Sequence, residues 1–301
     1  MDNGHFELMK KQWENGGWAE KAVLWNRAEP MVRAQLILIR GKGPMGEEGT
    51  KFYKTIMENR GETYFTRGGA ALALGAGRSK ETMFYLASKM DKESENADSS
   101  EYVRGMCAQA IGRNAEFAEG FGEGERMALI SALRRMLEDE SPLIVENAIF
   151  ALGQMLDYES EGAMYFATIS RLWDKDPSTG EKKIWWETLA LAYCEMGCSK
   201  PTALVAYLHV LDECLDENVA GKVAETVEDL LMHSKIEAKE RLAKSLNTYR
   251  RKSAFSKMVS GSDSYRVDSV IGAVFEKPRH GGRGAGPETR PKASGLRVKS
   301  G

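Results

Sequence analysis

Proline is scarce in this chain, eight residues in 301, so most of its length is free of the residue that breaks helices. Cysteine is scarcer. Cys107, Cys194, Cys198 and Cys214 follow no framework spacing, which excludes a small domain stapled by disulfides and leaves the four as small core residues. No apolar run reaches the roughly 18 residues needed to cross a bilayer. The start, MDNGHFELMKKQWENGG, carries acids and polar residues where a leader peptide would have an apolar core. A cytoplasmic chain away from any membrane is expected. Net charge is also small, at −2, but it hides an asymmetry. Residues 250–301 hold twelve Lys/Arg against four acids, a balance of +8, which leaves −10 on residues 1–249. A basic tail on an acidic body calls for an anionic partner, nucleic acid or protein, or for contact between the two parts.

What is present is a repeated unit. In YVRGMCAQAIG, with Arg104 as zero, Cys107 lies three residues on, Ala110 six, Ile111 seven and Gly112 eight. The frame set on Arg67 gives Ala70, Ala73, Leu74 and Gly75, and on Val145 it gives Ala148, Ala151, Leu152 and Gly153. Small residues at three and six with an aliphatic at seven make one crowded helical face, and the glycine permits close backbone approach. Arg33 opens a degenerate copy with Leu36, Ile39 and Gly41, and Leu189 a drifting one with Ala192 and Gly197. The anchor glycines 41, 75, 112, 153 and 197 are then 34, 37, 41 and 44 residues apart, the period of stacked helix-turn-helix units.

Between the copies, amphipathic stretches predict partner helices over 50–59, 79–90, 125–138, 162–173 and 201–215. Residues 1–20 predict one capping helix, and Met31 to Arg40 the first inner helix. The glycine-rich stretch 117–124 lacks the GK[ST] of a phosphate loop and reads as a turn. The expected division is a solenoid over 1–250, a partly ordered strap over 251–276 in which Tyr265 to Phe275 is a short strand or an extended segment, and a disordered basic tail over 277–301.

The inner stretches resemble the HEAT repeat family, in its short form with a VRxxAxxALG helix: Val32-Arg33, Arg67 with AALALG, Val103-Arg104 with AIG, and AIFALG from Ala148 to Gly153. The resemblance spans about residues 20–235 and implies an all-α superhelix of five to six helix pairs. Val145 and Leu189 stand where the family has arginine, so an unbroken ladder of arginines bonding acidic turns does not carry over. Some HEAT-like proteins are deoxyhypusine hydroxylases that hold iron through His-Glu pairs, but none of His5, His209, His233 and His280 precedes a glutamate. Others are bilin lyases, and a lyase acting on a bulky cofactor is the alternative reading.

In such a superhelix the inner helices line the concave side. Positions five beyond the zero point away from the packed face; these are Leu38, Leu72, Gln109, Phe150 and Cys194. Apolar residues there, with Met106 and Leu191 beside them and Arg113, Asn147 and Gln154 as polar guides, point to a groove for a protein or peptide partner. Trp185 is added as an anchor within the cluster of Trp173, Trp185 and Trp186. Near those tryptophans, Asp174, Asp176 and Glu187 resemble the site of helical-repeat alkylpurine DNA glycosylases, although the acidic body lacks the cationic face that DNA needs. Cys194, Cys198, His209 and Cys214 lack the paired spacing of a zinc site. The expectation is a non-catalytic scaffold without cofactor or metal.

Overall fold

The computed structural model describes residues 3–39, 45–174, 179–213, 216–233 and 239–252. Among them every regular element is helical. In chain order these are α1 (Asn3–Asn15), α2 (Trp18–Arg27), α3 (Pro30–Leu36), α4 (Gly46–Glu58), α5 (Tyr64–Ala76), α6 (Lys80–Met90), α7 (Glu101–Gly112) and α8 (Ala115–Ala118). There follow α9 (Glu123–Met136), α10 (Pro142–Gln154), a single 3-10 turn at Tyr158–Ser160, α11 (Glu161–Asp174), α12 (Thr179–Glu195), α13 (Pro201–Glu213), α14 (Glu217–His233) and α15 (Lys239–Lys252). The inner helices α3, α5, α7, α10, α12 and α14 stack in sequence, and α4, α6, α9, α11 and α13 lie behind them as outer partners. The strap and the tail, residues 253–301, and the glycine at 41 fall outside the described residues.

Two expectations about the N-terminal end change. Residues 1–20 do not form one helix. The chain breaks at Gly16 and Gly17, where Glu20 reaches back to accept from the Gly17 N–H at 2.8 Å and starts α2. The first inner helix stops at Leu36 rather than continuing to Arg40. Trp13 is fully buried against Trp25 and Phe52 and donates to the Ile39 carbonyl at 3.1 Å, so this aromatic cluster closes the end of the stack.

The frame explains the stacking. A Cβ added to Gly112 would lie 2.7 Å from Ala151 Cα, and one on Gly153 would lie 2.6 Å from Ala192 Cα. At Gly75 the corresponding neighbour is Ala110 Cβ, at 2.9 Å. The glycine eight beyond zero in one copy thus meets the alanine six beyond zero in the next. This rule moves the last frame. Ala192 must be six beyond zero, so zero is Trp186, not Leu189. Two further contacts agree: Gly105 faces Leu143 and Asn147 of the following copy, and the equivalent Glu146 accepts from Thr188 Oγ1 at 3.4 Å. Gly197 is not an anchor glycine. Its φ of +56° places it with Arg78 (φ 50°) and Leu156 (φ 52°), each eleven beyond its zero, in the left-handed turn that ends the inner helix. Successive zeros then lie 34, 37, 41 and 41 residues apart.

Arginines at the first three zeros tie each repeat to the next. Arg33 Nε donates to the Ala28 carbonyl at 2.9 Å and its Nη1 to Glu62 at 2.5 Å. Arg67 Nε donates to the Met57 carbonyl at 2.7 Å and pairs with Asp98; Arg104 Nε donates to the Met90 carbonyl at 2.9 Å and pairs with Asp139. Each acid sits just before the next inner helix. Asp98 and Asp139 also accept the backbone N–H of Ser100 (2.9 Å) and Ser141 (3.0 Å). The ladder stops at Val145, which is fully buried, and at Trp186, which stacks on His209 with centroids 4.2 Å apart. There Arg171 of α11 takes over by donating to the Asp139 and Glu140 carbonyls, and Arg134 of α9 grips Asp157 with two bonds of 2.6 and 2.8 Å.

Arg104→Ala strands the buried Asp139 carboxylate and is expected to cost about 3–5 kcal/mol in urea denaturation. Gly112→Ala forces backbones apart and is expected to cost about 1–3 kcal/mol. Burial raises the Asp139 pKa, but the Ser141 N–H and the Arg104 guanidinium win and hold it below the usual carboxylate value. A depressed folded pKa gives stability that is present above the unfolded value, roughly pH 4, and lost as pH falls through the folded one. The stability difference between the wild type and Asp139→Asn is therefore expected to shrink below roughly pH 4.

Candidate docking face on the inner helices

With the corrected frame, positions two before zero and five beyond it are seven residues apart, two helical turns, and share one face about 10 Å apart along the axis. The row five beyond zero comprises Leu72, Gln109, Phe150 and Leu191, all half-buried. The row two before zero comprises Met31, Phe65, Tyr102, Leu143 and Ile184. Met31 is 76% exposed, Phe65 53% and Ile184 48%, while Tyr102 and Leu143 are half-buried. Two rows, apolar except for Gln109, therefore run along the stacked inner helices. At α5 and α7 the outer row becomes an aromatic cluster. Ring centroids are 4.4 Å apart for Tyr64 and Phe65, 5.0 Å for Phe65 and Tyr102, and 5.5 Å for Tyr64 and Tyr102.

Of the residues expected on this face, Leu72, Gln109, Phe150 and Gln154 are half-buried and Arg113 is exposed. Leu38, also expected there, is 72% exposed in the turn after α3. Met106, Asn147 and Trp185 do not belong to the open surface. Met106 and Asn147 lie two beyond zero, where the small residue of the neighbouring copy receives them: Met106 packs on Gly68, and Asn147 packs on Gly105 while donating to the Leu143 carbonyl at 2.7 Å. Trp185 is 6% exposed in the core. Cys194 takes the anchor-glycine position, eight beyond Trp186. The row two before zero was missed, although its signal is in the sequence: Met31, Phe65, Tyr102, Leu143 and Ile184 each stand two residues ahead of a zero.

Polar groups on this face are few. Glu146 is half-buried between copies, and burial pushes its carboxyl pKa up against the pull of Thr188. Arg113 and Gln154 stand at the C-terminal ends of α7 and α10. The sheltered cysteines offer little nucleophilic chemistry, since burial pushes the Cys194 thiol up to about 11 and raises Cys107 and Cys198 as well. Among the described residues, no group of three or more His, Cys, Asp and Glu could hold a metal. Cys214, Asp176 and the side chain of Trp173 lie outside the described residues. Trp186 packs internally, between His209 and Tyr165 (6.5 Å). No described helix is long and apolar enough to cross a membrane.

A family model for the HEAT repeat matches residues 129–158, which run from within α9 through α10 to the 3-10 turn. With the stacking frame above, the chain is a HEAT-like α-solenoid. Comparison with curated proteins finds no match. Among solved structures the chain is similar to human deoxyhypusine hydroxylase in complex with glycerol, at 13% identity over 90% of this chain and 87% of that one, with a TM-score of 0.30.

The open rows and the packed positions differ in what they contribute to stability. Phe65→Ser and Ile184→Ser are each expected to change unfolding free energy by less than about 1 kcal/mol. Leu152→Ala, in the core, is expected to cost about 2–5 kcal/mol. Chemical denaturation of the three variants checks this, and a large loss at Phe65 would place that ring in the core.

Proposed function

We propose that the chain is a non-catalytic scaffold that holds a peptide or domain of a protein partner along the concave face formed by its inner helices. The carrying observation is the row Met31, Phe65, Tyr102, Leu143 and Ile184, an apolar residue repeated at one position of five copies and left open in three of them. Packing between copies accounts for part of that row, since Tyr102 lies against Gly68 and Leu143 against Gly105, but it does not account for Met31, Phe65 and Ile184, which stay exposed. Apolar ridges of this extent on a soluble domain mark interaction surfaces. The aromatic cluster at Tyr64, Phe65 and Tyr102 supplies the large rings that carry binding energy at interfaces. Phe150, Gln109, Arg113 and Gln154 extend the face toward the C-terminal ends of the helices and provide polar positions that set the register of a bound chain.

Phe65→Asp and Phe150→Asp are expected to reduce partner capture from native extract at least about thirtyfold, the equivalent of a hot-spot loss of about 2 kcal/mol. Phe166→Asp, on the outer helix α11 where the ring is 73% exposed, should leave capture unchanged. Undiminished capture by both inner-face variants, with their helix content intact, overturns the proposal.

A further inference from the structure

The half of the inner-helix face on α10 and α12 has a candidate occupant in the same chain. Its residues are the exposed Ile184 and the half-buried Leu191 of α12, and the half-buried Leu143 and Phe150 of α10. They are aliphatic apart from Phe150, in contrast to the aromatic half on α5 and α7. Beyond α15 the sequence has an apolar stretch, YRVDSVIGAVF, from Tyr265 to Phe275. In place of the extended segment expected above, a helical reading also fits: Val267, Val270, Ile271, Val274 and Phe275 follow the i, i+3, i+4, i+7, i+8 spacing that would put five apolar residues on one side of a helix.

We infer that residues 265–275 dock in cis across α10 and α12, against Leu143, Phe150, Ile184 and Leu191, and cover that half of the face. Reach permits it. The last described helix, α15, packs on α14 and α14 on α12, so α10 lies three helix spacings away, about 30 Å at ~10 Å each. Residues 253–266 extend to ~46 Å at about 3.3 Å per residue. Size also fits: nine helical residues span about 13 Å, enough to cross two neighbouring inner helices. Charge agrees as well. Within and beside the stretch itself Arg266 and Lys277 are balanced by Asp268 and Glu276, so the attraction comes from the tail that carries it. The tail as a whole carries +8 against −10 on residues 1–249. A partner then meets an open aromatic half and must displace the strap to use the other half. The inference rests on the docking reading of this face.

Hydrogen-deuterium exchange on the full chain tests it. Residues 265–275 are expected to exchange at least tenfold more slowly than residues 281–301, independently of protein concentration. Ile184→Asp and Val274→Asp, the latter outside the described helices, should each remove that protection with helix content unchanged, while Phe65→Asp should leave it. Exchange in 265–275 as fast as in 281–301 overturns the inference, as does protection that survives Ile184→Asp. Protection that appears only at high concentration, with a dimer by light scattering, also overturns it by assigning the face to a second copy. If 265–275 is unprotected while Phe65→Asp still abolishes capture, the strap fails and the docking reading stands. If the protection behaves as expected but capture ignores Phe65→Asp, the strap stands and the docking reading fails.

Discussion

The close approach of one inner helix to the next, glycine against alanine, is the constraint on which the rest of this molecule depends. At Gly112 and Gly153 the nearest neighbour of an added Cβ is a Cα on the next helix, so even one methyl group has no room. That contact sets how far each helix slides along its neighbour, and therefore which residues meet at every other level. Glycines one beyond zero, Gly68 and Gly105, receive the residues two before and two beyond zero of the following copy. The arginine at zero is then in reach of the acid that precedes the next helix. Close packing fixes the register, and the buried charge pairs penalise any departure from it, since a slipped helix would leave Asp98 or Asp139 without its partner.

The same constraint decides which surface of the inner helices is left uncovered. Positions zero, three, six, seven and eight are consumed by packing, and those one and two beyond zero by contacts between copies. What is least covered on the inner helices is the stripe at two before zero and five beyond it. Part of it packs, with Tyr102 on Gly68, Leu143 on Gly105 and Phe150 on Gly112, while Met31, Phe65 and Ile184 stay exposed, so the fold does not require the apolar character of those three. Met106 and Asn147 show the distinction from the other side: both look like groove residues on a helical wheel, yet the neighbouring copy covers them. An isolated helix cannot reveal that loss of surface, because the covering atoms belong to another repeat.

Much of the architecture was legible in the sequence, because the packing positions repeat and the residues that fill them are small. The three central copies at Arg67, Arg104 and Val145 follow one rule, which puts Leu72, Gln109 and Phe150 in one row, whereas in the last copy that row continues at Leu191 rather than at the expected Cys194. Legibility failed where a copy replaced its markers. At Trp186 the arginine and the anchor glycine are both gone, with Cys194 in the glycine's place, and the nearest glycine, Gly197, belongs to the terminating turn. Frame assignment by glycine alone therefore slipped by three residues. Trp185 was misread for a related reason: tryptophan signals an anchor, but only burial tells whether it anchors a partner or a core. The apolar row two before zero escaped because its members, methionine, phenylalanine, tyrosine, leucine and isoleucine, share hydrophobicity rather than identity.

The change in character along the stack is itself informative. The first three zeros are arginines held by acids of the next repeat, whereas the fourth and fifth are Val145 and Trp186, which make apolar contacts instead. The open stripe changes over the same boundary, from the aromatic Tyr64, Phe65 and Tyr102 to Leu143 and Ile184. A charged pair holds one geometry at the cost of desolvation, and aliphatic contacts tolerate small shifts. The aromatic half of the face thus rests on the more rigidly specified half of the stack, and rigid support lowers the entropic cost of ordering a bound segment. If the face docks a partner as proposed, the Phe65 region would be where discrimination between partners resides, and the α10–α12 region would supply less selective apolar area, the kind of surface that an internal segment such as residues 265–275 could cover.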